Sequence, residues 1–486
     1  MKKKVHKKSV KINYFYNMMY QVLLLIMPLI TAPYVARVLG VEGVGITGYT
    51  ISIVSYFILF GSLGISVYGQ REIAFYQDDA KEKGKIFFEL VALKIIAMTI
   101  AMVLFWLLFA RTGDYAMYYK ILIIEMVANV FDITWFYQGI ERFKKTTLRN
   151  GIVKILSVIS IFIFVKHTGD INKYLYIHCL NTLFSNLSLW INVKKYLEFP
   201  DKLNIFRHFK KTIILFIPQI AIKVYTVLDK TMIGAILHNM TQVGYYEETQ
   251  KIVRISLIII TSMGTAMLPR IANCYATNDH KKIKEYIYKA FNFALLMSIP
   301  MTLGMIAISN KFVPSFFGEE FAPAAPLMAI ISLITIIISL NDVIGIQYLL
   351  PTKKEKYFTI AVICGAVTNF VLNYFLIKRF QAVGAAIATV IAETVVTAVE
   401  FYFVRKEFKF REVLKLSPKY FMAGIVMFIV VSLLINTTIF SRSITIVLSS
   451  GIGALVYGGM LLLLKDEFLL NTIKSVKKMV FKKWKK

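Results

Sequence analysis

The chain of 486 residues is both apolar and strongly basic. Hydrophobic residues make up 57% of it, and its formal net charge is +29. Its mean hydropathy of +0.63 lies outside the range of soluble domains. The charge is dispersed over eight segments rather than gathered into one patch, which argues against nucleic acid as a partner. Attraction to anionic lipids of the inner leaflet explains the excess better.

Fourteen apolar stretches are long enough to cross a bilayer, whose core needs about 20 residues. They are 14–36, 45–68, 86–109, 116–137, 148–166, 174–193, 212–236, 243–268, 287–309, 324–349, 357–377, 383–404, 419–436 and 443–464. The predicted fold class is therefore an all-α polytopic membrane protein. We expect two six-helix lobes around a central cavity, followed by two extra C-terminal helices.

The basic residues collect in every second joint between these stretches. Of the 57 lysines and arginines, 42 fall on one side and nine on the other. The positive-inside rule places the richer side, with both termini, in the cytoplasm. The basic start and apolar run of residues 1–36 are interpreted as a retained first helix, because the run is longer than that of a signal peptide.

The domain prediction follows from the spans and from a weak internal repeat. Val44-Gly45 opens the second span, and Val243-Gly244 opens the eighth in the same way. With matching topology, this favours two halves related as parallel repeats. The predicted segments are an N-terminal lobe (1–193), a cytoplasmic linker (194–211), a C-terminal lobe (212–404), helices 13 and 14 (405–464) and a basic amphipathic tail on the cytoplasmic leaflet (465–486).

No catalytic, nucleotide or metal signature is present, so the chain is predicted to be a transporter and not an enzyme. Its three cysteines form no disulfide or metal pattern. No cofactor is expected, and a coupling ion, H⁺ or Na⁺, is left open. The informative residues are ionisable groups inside spans, because such groups are costly in lipid and usually face a bundle interior or a water-filled cavity.

The seventh span carries a polar stripe at helical spacing. Gln219, Lys223, Thr226 and Lys230 recur every three or four residues, which places them on one helical face. Asp229 lies beside this stripe. The pattern predicts that the seventh span turns one polar face toward the interior of the bundle.

The eighth span carries a second stripe, formed by Glu247, Lys251 and Arg254. Two explanations are open. Glu247 is four residues from Lys251, and Asp229 and Glu248 are near, so the charges could form structural ion pairs. Two successive helices with cations at one depth favour the other explanation, an anion-binding site.

The first half carries milder candidates. Asn17 and Gln21 lie on one stripe of the first span, and Arg37 lies at its end. Lys94 lies inside the third span, where pairing with Glu125 or Asp132 and contact with a substrate are weighed equally. These four candidates complete the predicted substrate-binding set.

Several segments resemble those of polysaccharide repeat-unit flippases. They are PYVARVLG (33–40) with EGVG (42–45), YGQREIA (68–74), QGIERF (138–143), DK (229–230) with VGYY (243–246), and GAAIAT (384–389) with Glu393. On these segments the chain is identified as a member of the Wzx-type oligosaccharide flippases of the multidrug/oligosaccharidyl-lipid/polysaccharide exporter superfamily. Lys230 stands where many relatives have Arg, which keeps the charge but weakens bidentate phosphate gripping.

The resemblance implies a function and its partners. The substrate would be an undecaprenyl-diphosphate-linked oligosaccharide repeat unit, moved across a bacterial plasma membrane by alternating access for capsule, O-antigen or another surface polysaccharide. Lipid-linked oligosaccharide and membrane lipids would be partners, with the polymerase and glycosyltransferases of the same pathway as further ones. The energy source, the sugar composition and the oligomeric state stay open.

Three other functions compete with this one. A cation-coupled drug or metabolite exporter of the same superfamily would more often have twelve spans and carboxylates in its cavity. A glycosyltransferase or polymerase would carry a large external loop with catalytic residues. A structural scaffold for a glycan assembly complex would be excluded only by loss of transport when the cavity lysines are mutated.

Overall fold

The computed structural model describes residues 2–200, 202–437 and 441–474. Their side chains are described too, except at 2–22, 24–25, 143–149, 217–218, 221–222, 224–225, 263 and 265–266. These described residues are almost entirely helical and contain no strand.

The helices of the first part of the chain are α1 (Lys2–Ser62), α2 (Ile65–Phe75), α3 (Ala80–Phe105), α4 (Ala116–Val130), α5 (Thr134–Gly139), α6 (Phe143–Phe164), α7 (Ile171–Trp190), α8 (Phe209–Leu237) and α9 (Met240–Ala276). A π-helical segment, Trp106–Ala110, extends α3. Short 3-10 helices are Thr168–Asp170, Val193–Tyr196 and Ile205–His208. Asp79 caps α3, since its carboxylate accepts from the backbone N–H groups of Lys81 and Glu82.

The remaining helices are α10 (His280–Phe317), α11 (Ala325–Ile331), α12 (Ile334–Ile344), α13 (Glu355–Val404), α14 (Phe410–Leu414), α15 (Ser417–Ile435) and α16 (Arg442–Leu463). A 3-10 helix, Glu319–Ala324, precedes α11, and a π-helical segment, Gly345–Leu349, follows α12. Helix α10 corresponds to the ninth predicted span, 287–309. It continues to Phe317 and so ends later than predicted.

Two helical stretches are each long enough for two spans. Ile26–Phe75 and Glu355–Val404 contain 50 residues each, or ~75 Å at 1.5 Å per residue. Each is broken, the first at Gly40 with φ 72° and ψ 175°, the second at Gln381 with φ 54°. Since a hydrocarbon core is about 30 Å thick, each stretch supplies a helix pair.

The number of spans agrees with the sequence prediction. By length and composition, seven helices among the described residues can cross a membrane, or eight with the bent α9. The two broken stretches contribute a pair each. The predicted spans at 116–137, 148–166, 174–193 and 212–236 coincide with α4 and α5, α6, α7 and α8. The all-α membrane fold with about fourteen spans is therefore confirmed.

Contacts divide the chain into two compact units, Met1–Gly244 and Tyr245–Lys486. The first unit contains α1–α8, because α8 packs against α1 and α2. The predicted lobes, 1–193 and 212–404, place α8 differently, and they stay a prediction, as does a cavity between them. In the second unit α10 packs against α12, α15 and α16, so the two extra helices belong to its core.

A close crossing of backbones lies where α9 begins, inside the first unit. A Cβ atom placed on Gly45 would come 1.7 Å from the carbonyl oxygen of Met240. One placed on Gly244 would come 2.2 Å from the carbonyl oxygen of Val41. The two glycines that the repeat singles out therefore face each other, and close helix packing explains why both are glycine.

The segment predicted to be a linker, residues 194–211, is held within the first unit by one buried carboxylate. Glu89 of α3 is fully buried. It accepts from the backbone N–H of Asn204 at 2.6 Å, from Arg207 Nε at 2.6 Å and from His208 Nε2 at 2.9 Å. The other ring nitrogen of His208, Nδ1, lies 2.8 Å from the Tyr68 hydroxyl.

The protonation state of His208 follows from this network. Burial is the main cause that lowers the pKa of the His208 imidazole below its usual value. The ring is therefore neutral at pH 7. A carboxylate only accepts, so Nε2 carries the hydrogen toward Glu89, and Nδ1 accepts from Tyr68. Arg207 also pairs with Glu82 at 2.8 Å, so the residues just before α8 are held at several points.

The C-terminal tail begins as predicted with a helix. Residues 467–474 are helical, and the Asp466 carboxylate accepts from the backbone N–H of Leu469 at 2.8 Å. The rest of the predicted amphipathic tail, 475–486, lies outside the described residues.

Candidate functional site

The predicted polar stripe of the seventh span occupies one face of α8. Gln219, Lys223, Thr226 and Lys230 are all half-buried. Two of the polar groups bond within the helix: Gln219 Nε2 donates to the Leu215 carbonyl at 3.0 Å, and the Thr226 hydroxyl donates to that of Lys223 at 2.9 Å. The stripe therefore lies neither in the packed core nor fully outside it.

A different face of α8 packs against α1. The Tyr56 hydroxyl lies 3.3 Å from that of Thr231, and the Tyr49 ring covers Gly234, where a Cβ would be 2.3 Å from it. Asp229 is 3% exposed, and its charge acts on the Tyr56 hydroxyl. Asp229 thus belongs to the buried contact with α1, whereas its neighbour Lys230 lies on the half-buried stripe.

The stripe of the eighth span lies on α9, in the second unit. Lys251 Nζ is 2.8 Å from a carboxylate oxygen of Glu248 and 3.5 Å from one of Glu247. The Glu248 side chain is fully buried, while that of Lys251 is 32% exposed. Two carboxylates thus flank one ammonium group, which favours the pairing explanation for Lys251.

Arg254 lies one helical turn beyond Lys251 and is exposed. Because it is exposed, Arg254 is the cation of this stripe that an external anion can reach. A guanidinium binds phosphate oxygens through two parallel N–H groups, a geometry that an ammonium group lacks.

The candidates of the first half differ in their exposure and their contacts. Arg37 is exposed near the break of α1 at Gly40. Lys94 is 2% exposed, and its Nζ donates to the backbone carbonyl of Asp132 at 3.0 Å. This internal contact favours a structural role over substrate contact for Lys94, although its acceptor is a backbone carbonyl and the predicted pairing was with a carboxylate. Asn17 and Gln21 lie on α1, and their side chains are outside the described residues.

The structure adds buried carboxylates that the predicted substrate-binding set does not contain. Glu248 is the nearer partner of Lys251, and Asp342, Glu393 and Glu400 are buried in the second unit. All four are carboxylates inside apolar stretches, so the same rule that selected the lysines could have selected them. Among the described residues, no group of three His, Cys, Asp or Glu side chains has the geometry to hold a metal ion.

The fold defines the class of the protein as a polytopic membrane protein built of α-helices. It resembles the structure titled "Lipid II flippase MurJ, inward closed conformation", with a TM-score of 0.75 over 95% of this chain and 99% of that one. The two chains are 18% identical, so this likeness concerns the fold alone.

The chain belongs to the family described as "Polysaccharide biosynthesis protein", whose model matches residues 10–275. A second model, MatE, matches residues 215–375. The Escherichia coli (strain K12) protein named "Putative O-antigen transporter" is 26% identical over 82% of this chain and 98% of its own length. The Haloferax volcanii (strain ATCC 29605) protein named "Probable low-salt glycan biosynthesis flippase Agl15" is 24% identical over 60% of this chain and 61% of its own.

Proposed function

We propose that this protein is a flippase that moves an undecaprenyl-diphosphate-linked oligosaccharide repeat unit from the inner to the outer leaflet by alternating access. The observation that carries the proposal is the pair of basic stripes on α8 and α9, with Lys223 and Lys230 half-buried and Arg254 exposed. Basic groups in the middle of apolar helices are costly in lipid, and they commonly mark substrate or ion pathways. The relatives named as an O-antigen transporter and a glycan flippase support the same substrate class.

The chemistry of such a substrate matches the side chains. A diphosphate carries charge that arginine and lysine neutralise through charge-assisted hydrogen bonds. Sugar hydroxyls need neutral donors and acceptors, such as Gln219 and Thr226 on the α8 stripe. Both kinds of group lie along one helix face, as a lipid-linked sugar requires.

An apolar groove in the second unit supports a lipid-tailed substrate. It has a volume of about 560 Å³ and lies between α9, α10, α15 and α16. Small residues such as Gly304, Gly453 and Gly458 keep it open, and Met301 and Tyr457 contribute apolar surface. A prenyl chain is flexible and apolar, so it fits a groove of this kind.

We further propose a bacterial plasma membrane location with both termini in the cytoplasm. The support is the split of 42 to nine basic residues between alternate joints. In that orientation the predicted linker held by Glu89 lies in the cytoplasm. Glycosyltransferases of the same polysaccharide pathway would deliver the loaded lipid on that side.

A cation-coupled drug or metabolite exporter is the second candidate. The match of the MatE model to residues 215–375 favours it, as do the buried carboxylates of the second unit. Helices α15 and α16, which complete the apolar groove, favour the flippase instead.

We expect Arg254→Gln to abolish most translocation. Loss of one charge-assisted hydrogen bond costs about 1.5–3 kcal/mol, which corresponds to roughly a tenfold to hundredfold slower rate. Arg254→Lys should retain more activity, because it keeps the charge. The measurement is surface polysaccharide in cells that depend on this protein, normalised to its amount in the membrane.

The matched control is Arg411→Gln, since Arg411 is exposed on α14, outside the predicted spans. It should leave the polysaccharide unchanged. A further pair tests Lys251. If Lys251 serves only to neutralise Glu248, then Glu248→Gln combined with Lys251→Gln should restore what Lys251→Gln loses. Normal polysaccharide from Arg254→Gln would refute the assignment of Arg254 to the diphosphate.

A further inference from the structure

Three carboxylates lie buried together in the second unit, away from the basic stripe of α9. Asp342 on α12, and Glu393 and Glu400 on α13, are 7%, 6% and 1% exposed. Glu393 and Glu400 are seven residues apart, or two helical turns, so they share one face of α13. The charges that act on Glu400 are those of Glu393 and Asp342, which places all three in one electrostatic cluster.

Two of the three carboxylates receive a hydrogen bond from an amide. Asn341 Nδ2 donates to Glu393 Oε2 at 2.9 Å. Gln347 Nε2 donates to Asp342 Oδ2 at 2.9 Å. Both amides belong to α12 or to the π-helical segment after it, a type of local distortion that is common at functional sites.

Glu400 has no such donor. Its Oε2 is buried and lacks a hydrogen-bond partner. Its Oε1 sits against Gly345, where an added Cβ would come within 2.6 Å of it. The carboxyl group therefore rests on bare backbone, in space that only a glycine leaves free.

The surroundings of Glu400 contain no compensating positive charge. The elements around the cluster contribute Asp342 and Gln347 from α12 and the π-helical segment, Glu393 from α13, and Gly264 of α9 beside Asp342. No lysine or arginine of the described residues is among the charges that act on Glu400. An ionised carboxylate buried without donors or a counter-ion is strongly unfavourable, whereas a protonated one is tolerated.

A metal ion does not account for the cluster, because these carboxylates lack the convergent geometry of a metal site among the described residues. A proton needs only one oxygen. Two acidic groups that share a site cannot both ionise freely, so protons are held and released by the cluster as a unit.

We propose that Asp342, Glu393 and Glu400 form a proton-binding site in which Glu400 holds the proton while the site is closed to water. Release requires hydration of the cluster, which makes proton occupancy depend on the conformation of the second unit. The site does not depend on which lipid the protein carries, so the proposal stands apart from the flippase function.

The test uses infrared spectroscopy on the purified protein in lipid nanodiscs, without substrate. The wild type should show the C=O stretching band of a buried protonated carboxyl group at pH 7, and the band should fade as the pH is raised. Glu400→Gln should remove the band. Glu355→Gln, at an exposed position on the same helix, should leave it unchanged.

Absence of this band from the wild-type protein at every pH would overturn the proposal. This measurement does not depend on the folding of any variant. Retention of the full band in Glu400→Gln would overturn it as well. Gly345→Ala supplies a second variant: because the new methyl group presses on Glu400, the pH midpoint of the band should shift, and an unchanged midpoint would place the proton elsewhere. None of these readings changes if translocation fails, so the two proposals are judged separately.

Discussion

Glu89→Ala should lower the free energy of unfolding by about 3 kcal/mol, because it leaves buried hydrogen-bond donors unsatisfied. The backbone N–H of Asn204 and the His208 ring would lose their acceptor, and Arg207 would keep only Glu82. Arg207 is partly exposed, so water would compensate part of its loss. Glu89→Gln should cost less, since its amide oxygen still accepts. Thermal unfolding in detergent measures both.

The control for Glu89 is Glu285→Ala. Glu285 pairs with Lys289, and the two side chains are 57% and 50% exposed. An exposed pair of this kind contributes about 0–1 kcal/mol. Equal losses for Glu89→Ala and Glu285→Ala would show that the linker is not fastened by the buried carboxylate.

Gly244→Ala should be the second strongly destabilising change. Its new methyl group would lie 2.2 Å from the Val41 carbonyl oxygen, and the corresponding group in Gly45→Ala would lie 1.7 Å from that of Met240. Backbone atoms cannot move aside as a flexible side chain can, so the helix ends must separate. We expect each variant to lose about 1–3 kcal/mol, again measured by thermal unfolding.

The matched control for Gly244 is Gly459→Ala on α16. A Cβ at Gly459 meets nothing within 4 Å, so the higher helix propensity of alanine should stabilise the protein by up to ~1 kcal/mol. The two alanine substitutions therefore have opposite expected signs. Stabilisation by Gly244→Ala would contradict the close crossing at the start of α9.

Much of the fold could be predicted because bilayer thickness sets a length that the sequence must meet. Apolar runs of about 20 residues separated by charged joints locate helices directly. The pairs within Ile26–Phe75 and Glu355–Val404 were placed correctly, because polar or glycine-containing joints interrupt the apolar pattern. A boundary was missed where a helix continues past its apolar run. The predicted span 287–309 ended too early, because α10 continues to Phe317.

Contacts between residues that are distant in sequence could not be predicted in the same way. Glu89 and His208 are 119 positions apart, and no local pattern joins them. Helical spacing predicted that Gln219 and Lys230 share a face, but not that the intervening Asp229 is buried against Tyr56. Periodicity gives the face of a helix, whereas the partner of that face depends on tertiary packing.

The candidate site was predicted in part. The spacing of Glu247 and Lys251 left an ion pair open beside the favoured anion site, and the structure places the two charged groups 3.5 Å apart. The nearer partner of Lys251 is Glu248, three residues before it. Residues three apart also face the same side of a helix, so the same spacing argument covers this pair. Whether Lys223 and Arg254 act on one substrate stays a prediction, and the Arg254 variants test its most accessible member.

The most direct test of the flippase proposal is translocation in liposomes that contain only the purified protein. A fluorescent undecaprenyl-diphosphate-linked oligosaccharide is placed in both leaflets, and an impermeant reagent quenches the label in the outer one. With the wild-type protein, the sheltered fraction should become accessible, whereas liposomes with Arg254→Gln should resemble protein-free ones. If the wild-type protein leaves the sheltered fraction intact while exporting a small cationic drug, the proposal of a lipid-linked oligosaccharide substrate is wrong.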